Sequence, residues 1–164
     1  MKKNFFYVIA VLCAISLTVP VAAQKDDYNG IWKLEREKSV IPEYFPVLVK
    51  ITVTVKGDSL LTERVYDTGD GSEYPFNENV TTDGKEYENN IYNMPRKTKA
   101  FFSESDSLLN FESTTTYEGS TGPDDLNSKE IWKTDKATNT FTISFKNKSA
   151  MGENEGSFFF VRSE

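Results

Sequence analysis

The chain has 164 residues, of which 38% are hydrophobic, 27% charged and 13% aromatic, a composition typical of a folded protein of one domain or two small ones. Its formal charge of −6 disfavours phosphate backbones and anionic membrane surfaces, so nucleic acid is a poor partner. Histidine is absent, which excludes Ser-His-Asp triads and histidine-ligated metal sites.

Residues 1–23 have the three parts of a secretory signal peptide: Lys2 and Lys3, an apolar run over residues 5–19, and small side chains before a cleavage site after Ala23. The apolar run is shorter than the roughly 20 residues that a membrane-spanning helix needs, and Pro20 ends it. We therefore expect cleavage, a secreted or periplasmic protein, and no stable membrane anchor on the mature chain.

Cleavage would also change the chemistry of the chain. Lys2, Lys3 and Cys13 leave with the signal peptide, so the remaining 141 residues carry 17 basic and 25 acidic side chains, a formal charge of −8. With neither cysteine nor histidine, residues 24–164 can form no disulfide and no thiol nucleophile. What remains is carboxylate chemistry, Ser-Lys chemistry, calcium bound by oxygen ligands, or binding without catalysis. We expect no cofactor, no metal and no catalytic residue.

Residues 24–164 alternate apolar and polar side chains in almost every segment, which is typical of β-strands. The predicted strands cover residues 29–34, 48–55, 60–66, 77–82, 85–89, 97–103, 108–117, 128–134, 140–146 and 156–162. Short polar turns between them predict four hairpins, one of them turned by Asp83-Gly84. Residues 34–39 predict one helical turn at most.

About ten evenly spaced strands predict an all-β fold, a single antiparallel meander over residues 24–164 that closes into a barrel or packs as a sandwich. Closure is favoured because an open meander leaves two long edges exposed. In a barrel, the last strand, residues 156–162, should lie beside the first, residues 29–34. Residues 67–75 and 119–127 are rich in Gly, Asp and Ser and are expected to form long loops at one rim.

The sequence Asn29-Gly30-Ile31-Trp32 resembles the Gly-x-Trp motif that opens the first strand of lipocalins. The continuation to Leu34, and the aromatic last strand over residues 158–162, are similar to the lipocalin-like proteins that many Bacteroidetes secrete. The resemblance implies a barrel in which Trp32 is a buried structural residue, with Arg162 packed across its ring. A large ring can plug the tapering end of a barrel while its indole N–H finds a carbonyl; a ligand contact at Trp32 is the alternative.

Candidate ligand-binding residues are aromatic side chains of one phase on neighbouring strands, which places them on one face. The face of residues 109–117 passes from apolar to polar, so a pocket there would be apolar at depth and polar at its mouth. A connection bracketed by Pro42 and Pro46 either covers that mouth or packs on an outer face. The candidates are Tyr44, Phe45, Phe111, Tyr117, Phe141 and Phe145. The alternative is that these rings meet and fill the barrel.

Two classes of function fit this sequence. The first is a non-catalytic, exported binding protein that holds a small apolar or amphipathic molecule inside the barrel. The alternative is an interaction or inhibitor module that uses loops 67–75 and 119–127 on a filled barrel. A carboxylate-based hydrolase is a third and more distant possibility. The acidic residues of the two loops match no dedicated calcium-binding pattern. The sequence names no protein partner.

Overall fold

The computed structural model describes residues 25–103, 108–120 and 122–163. The signal peptide predicted for residues 1–23 and the turn predicted for residues 104–107 lie outside them. The described strands are β1 (Gly30–Leu34), β2 (Val47–Lys56), β3 (Ser59–Asp67), β4 (Glu73–Thr81), β5 (Asp83–Ile91), β6 (Met94–Phe102), β7 (Leu109–Gly119), β8 (Gly122–Asp135), β9 (Thr140–Ser149) and β10 (Gly152–Arg162). One 3-10 turn, Arg36–Lys38, follows β1. Within these ranges, no helix has the length and apolar character to cross a bilayer.

The strands form one antiparallel sheet in the order β4-β3-β2-β1-β10-β9-β8-β7-β6-β5. Strand β1 lies between β2 and β10, so that Trp32 is opposite Ile51 on one side and Arg162 on the other. The two outer strands of this order, β4 and β5, also approach each other. The sheet is therefore a meander that is nearly closed into a barrel, and the predicted all-β fold and the predicted pairing of first and last strands are confirmed.

The barrel closes at β4 and β5 without a ladder of backbone hydrogen bonds. In the described residues β4 pairs with β3 alone and β5 with β6 alone, so the hairpin predicted around Asp83-Gly84 is wrong. A two-residue hairpin turn of this type needs positive φ at both positions, and only Gly84 has it, at 79°. Side chains span the gap instead, because Tyr92 Oη donates to the carbonyl of Pro75 at 2.6 Å. We call the space between β4 and β5 the seam.

The two ends of the barrel differ in their connections. End A carries the first residue of β1, the β2–β3 turn and the β8–β9 turn, whereas end B carries the β3–β4, β5–β6, β7–β8 and β9–β10 turns and the long connection of residues 35–46. Residues 122–127, predicted as part of a loop, belong to β8. They pair with β7 in the antiparallel ladder, and Asp124 and Asp125 also accept hydrogen bonds from Tyr117 and Thr116 on that strand, both at 2.6 Å.

Aromatic side chains fill the interior at end A. Five of them are at most 1% exposed: Tyr28, Trp32, Trp132, Phe141 and Phe160. The Phe141 ring lies at the centre of this group, with its centroid 5.3 Å from that of Trp32, 5.2 Å from that of Trp132 and 5.5 Å from that of Phe160. Such pairs stabilise a fold beyond the burial of their area, so end A is a packed core.

Candidate functional site

The motif around Trp32 forms one structural unit that seals end A. The Trp32 side chain is 1% exposed, and its Nε1–H donates to the carbonyl of Tyr28 at 2.9 Å. The guanidinium of Arg162 lies 4.3 Å from the centroid of the Trp32 ring and donates to the carbonyl of Asn29. Gly30 has a φ of 139°, and a Cβ there would overlap Arg162 Nη1. Arg162 can therefore pack on Trp32 only because residue 30 is a glycine, and the three residues have a structural role.

The structure places the four candidate aromatic residues of β7 and β9 on inward faces, but at different depths. Phe141 belongs to the packed core of end A. Phe111 stacks on Trp132 in the middle of the barrel, with 4.4 Å between centroids. Phe145 lies towards end B, where its ring is 5.0 Å from that of Phe158. Tyr117 is at the rim of end B, hydrogen-bonded to Asp124. The rings thus do not line one common pocket.

The connection of residues 35–46 enters the mouth of the barrel at end B. Phe45 stacks on Phe145 with 4.8 Å between centroids and 8° between ring planes. Val40 makes an antiparallel bridge to Ser157, and its carbonyl lies so close to Gly156 that a Cβ there would overlap it. Tyr44, by contrast, is 95% exposed and points to solvent. Of the two predicted aromatic residues of this connection, only Phe45 covers the mouth.

A buried ion pair crosses the middle of the barrel. Arg64 on β3 donates two hydrogen bonds to Glu130 on β8, of 2.7 and 3.0 Å. These strands are five positions apart in the closed order, so the pair links opposite walls. Trp132 Nε1–H donates to the same carboxylate at 2.7 Å, and the Arg64 guanidinium lies 5.5 Å from the centroid of the Phe111 ring. The pair therefore forms the boundary between the aromatic core and the end-B half of the interior.

A second buried ion pair lies beside the seam. Arg96 Nε donates to Glu78 Oε1 at 2.9 Å, and the hydroxyl of Thr98 donates to the same oxygen. Arg96 Nη1 also donates to Thr115 Oγ1 at 3.1 Å. Because Glu78 is on β4 and Arg96 on β6, the pair holds the wall together where the ladder is missing.

Three polar atoms near these pairs are buried and have no hydrogen-bond partner among the described residues: Thr62 Oγ1, Arg64 Nε and Glu78 Oε2. Thr62 and Glu78 are direct cross-strand partners, and Arg64 follows two residues later on the same inward face of β3. A buried polar group without a partner costs about 1–3 kcal/mol. Such atoms on one face of the interior favour a polar occupant beside them.

Charge and burial set the ionisation of these groups. Burial acts to raise the pKa of Glu130, but the Arg64 charge and the hydrogen bonds from Arg64 and Trp132 outweigh it, so the pKa lies below its ordinary value. Burial acts to lower the pKa of Arg64, and the Glu130 charge overcomes this and raises it. Burial raises the pKa of Tyr66, which the Arg64 charge offsets only in part. The ion pair therefore stays charged at neutral pH.

The lowered pKa of Glu130 predicts a pH-dependent contribution to stability. A carboxyl group whose pKa is lower in the folded state contributes fully above its unfolded value, here 4.5, and loses the contribution as pH falls through the folded value. The half-buried Asp124 also has a lowered pKa, because Tyr117 donates a hydrogen bond to it, and it adds to any loss of stability in acid. The Glu130→Gln variant isolates the buried group.

We expect the free energies of unfolding of the wild type and of Glu130→Gln to differ by a constant amount above pH 4.5, and the difference to shrink as pH falls below it. Urea denaturation followed by circular dichroism between pH 3 and pH 7 measures this. A difference that stays constant down to pH 3 would contradict the lowered pKa.

Sequence reasoning missed the four charged residues that are buried in the described part of the chain, although a signal was present. Glu130 has the same strand phase as Trp132, and Glu78 lies between Phe76 and Val80 on one face. Charged side chains are almost never fully buried unless they are paired. An arginine or glutamate at the phase of a buried aromatic residue therefore predicts a partner on another strand.

Phe111, Phe141 and Phe145 line none of three surface depressions of about 180 to 270 Å³, one of which lies at end A beside Trp32 and Arg162. In the described part of the chain, no three Asp, Glu, His or Cys side chains group as metal ligands. No family model, curated protein or solved structure matches the chain, so the candidate site is defined by its own geometry.

Proposed function

We propose that this protein is a non-catalytic binding protein that holds a small apolar or amphipathic molecule in the end-B half of the barrel. One observation carries the proposal: an aromatic wall faces a polar wall there. Phe45, Phe145 and Phe158 form the first wall, and the buried Glu78–Arg96 pair belongs to the second. Ligand sites commonly combine apolar lining with a few fixed polar groups.

Partial exposure of inward-facing side chains at end B also supports a site at this end. Tyr66, Tyr117, Leu126 and Ser128 have the inward phase of their strands but are only half-buried. The five aromatic residues of the packed core at end A are at most 1% exposed instead. A ligand would therefore enter at end B, where Phe45 must leave its stack on Phe145 to admit it. Phe45 acts as the cover of the site in this proposal.

We further propose that the protein is lipocalin-like and exported. The sealing unit of Gly30, Trp32 and Arg162 supports the lipocalin-like architecture, and the pattern of residues 1–23 supports export. The bonding of Glu130 supports a role without catalysis, because both of its oxygens accept hydrogen bonds from Arg64, and because its pKa is lowered whereas a general acid needs a raised one.

Fluorescence titration with the neutral probe N-phenyl-1-naphthylamine tests the binding proposal. We expect saturable binding that an unlabelled amphipathic molecule displaces. Phe145→Leu should weaken binding about two- to tenfold, because an aromatic contact adds about 0.5–1.5 kcal/mol beyond area burial. Tyr44→Ala is the matched control: it removes an exposed ring from the same mouth and should leave the affinity unchanged.

Circular dichroism of each variant establishes that it is folded. A folded wild type without saturable binding would contradict the proposal and favour the interaction module. A loss of affinity in Tyr44→Ala as large as in Phe145→Leu would place the probe outside the barrel. The short β3–β4 and β7–β8 connections, residues 68–72 and 120–121, favour the binding protein because the interaction module needs long rim loops.

A further inference from the structure

We propose that the polar group of the ligand is an uncharged donor and acceptor, such as an alcohol or a primary amide, and that it binds at Thr62, Glu78 and Arg64. This inference rests on the proposed function and specifies the ligand class for the same site. It excludes carboxylate and ammonium groups as the preferred head.

The charges of the interior are already balanced. Arg64 is bound to Glu130 through two hydrogen bonds, and Arg96 is bound to Glu78. The four groups together carry no net charge, and each arginine already has a carboxylate partner. A ligand carboxylate would have to leave water and approach two glutamates, whereas a ligand ammonium would approach two arginines. Burying such an unpaired charge is costly, so a charged head is disfavoured.

The three atoms without a partner include both donors and acceptors of hydrogen bonds. Arg64 Nε–H can only donate, Glu78 Oε2 can only accept while ionised, and the Thr62 hydroxyl can do both. A hydroxyl or primary amide supplies a donor and an acceptor at once. A carboxylate can only accept and an ammonium can only donate. The open groups therefore match an uncharged head.

The three residues lie on neighbouring strands β3 and β4. Thr62 is directly opposite Glu78 on the neighbouring strand, and directly opposite residues of an antiparallel pair have Cβ atoms about 4.5–5.5 Å apart. Thr62, Arg64 and Glu78 are all at most 2% exposed. The head would thus be bound deep in the interior beside the Arg64–Glu130 pair, and the apolar chain would extend towards Phe145 and Phe45 at end B.

Three molecules with the same twelve-carbon chain test the inference: 1-dodecanol, dodecanoate and dodecylammonium. Each displaces N-phenyl-1-naphthylamine at pH 7, below the concentration at which the molecules aggregate. We expect 1-dodecanol to bind at least about tenfold more tightly than either charged molecule, because the charged heads lose hydration without gaining an uncommitted counter-ion.

Thr62→Val is the diagnostic variant because it replaces the hydroxyl with a methyl group of similar size. The substitution should lower the affinity for 1-dodecanol about two- to tenfold, which corresponds to the loss of one hydrogen bond. The affinity for dodecanoate should not change. The stability of the free protein should be retained, since this hydroxyl has no protein partner to lose. Thr54→Val, an exposed threonine on the outer face of β2, is the control and should change neither affinity.

The outcomes separate this inference from the proposed function. Dodecanoate or dodecylammonium binding as tightly as 1-dodecanol would overturn the uncharged head and keep the binding function. An unchanged affinity for 1-dodecanol in Thr62→Val would also overturn it and assign the open atoms to water. If neither the probe nor any of the three molecules binds the folded protein, the proposed function itself fails.

Discussion

Replacing Glu130 with glutamine should lower the free energy of unfolding at pH 7 by about 3–5 kcal/mol. The substitution keeps the shape of the side chain and removes its charge. Arg64, which is 1% exposed, is then left with its positive charge inside the barrel and without a counter-ion. Removing one partner of a buried pair is costly for this reason, even where the intact pair adds little net stability. Urea denaturation followed by circular dichroism measures the loss.

Two further variants separate the buried charge from other causes. Glu112→Gln removes one partner of the exposed Lys129–Glu112 pair on the neighbouring strands and should cost at most about 1 kcal/mol. Replacing Arg64 and Glu130 together, by methionine and leucine, should recover most of the stability lost in Glu130→Gln, because no unpaired charge is then left inside the barrel. A double variant less stable than the single one would show that packing, and not the unpaired charge, explains the loss.

Trp32→Ala should also cost about 3–5 kcal/mol, the usual loss when a large buried aromatic side chain is truncated. The ring is 1% exposed and lies 5.3 Å from the ring of Phe141. Its removal leaves a cavity at end A and takes away the surface on which Arg162 packs. The same urea denaturation, followed by far-ultraviolet circular dichroism, gives the change.

Tyr44→Ala is the matched control for Trp32→Ala, because that ring is 95% exposed and its loss should leave stability nearly unchanged. Arg162→Ala should fall between the two, with about 0.5–2 kcal/mol for the lost cation–π contact. If Trp32→Ala unfolds at the wild-type urea concentration, Trp32 is not the structural plug of the barrel.

The number of strands could be predicted because a half-buried strand shows its face directly in the alternation of its residues. The pairing of first with last strand could be predicted because an open meander would leave two edges exposed. The seam could not. Asp83-Gly84 is a typical hairpin sequence, yet the chain makes its tight turn with positive φ at Tyr92 and Asn93, where a tyrosine gives no such signal. Local sequence describes turn preferences, whereas the approach of β4 to β5 is decided by side chains of several strands.

For the candidate site, the sequence could predict only which side chains point into the barrel. Alternation indicates that Phe111 and Phe145 point inward, and they do, but not that Trp132 and Phe45 occupy the space beside them. The segment at 122–127 has the composition of a loop, and hydrogen bonds to the neighbouring strand keep it in the sheet. Contacts across the interior depend on which strands face each other, and no single strand contains that information.

The pairing of β1 with β10 has a consequence for the order in which the barrel folds. Every other ladder in the described residues joins strands that are adjacent in the chain, whereas Arg162 and Asn29, which meet beside Trp32, are 133 positions apart. Local hairpins require short loop closures, and a contact of this separation requires a long and entropically costly one, so it forms late and limits the folding rate. A growing chain can therefore complete its hairpins as they emerge, but it acquires an enclosed interior only after its last strand has been synthesised.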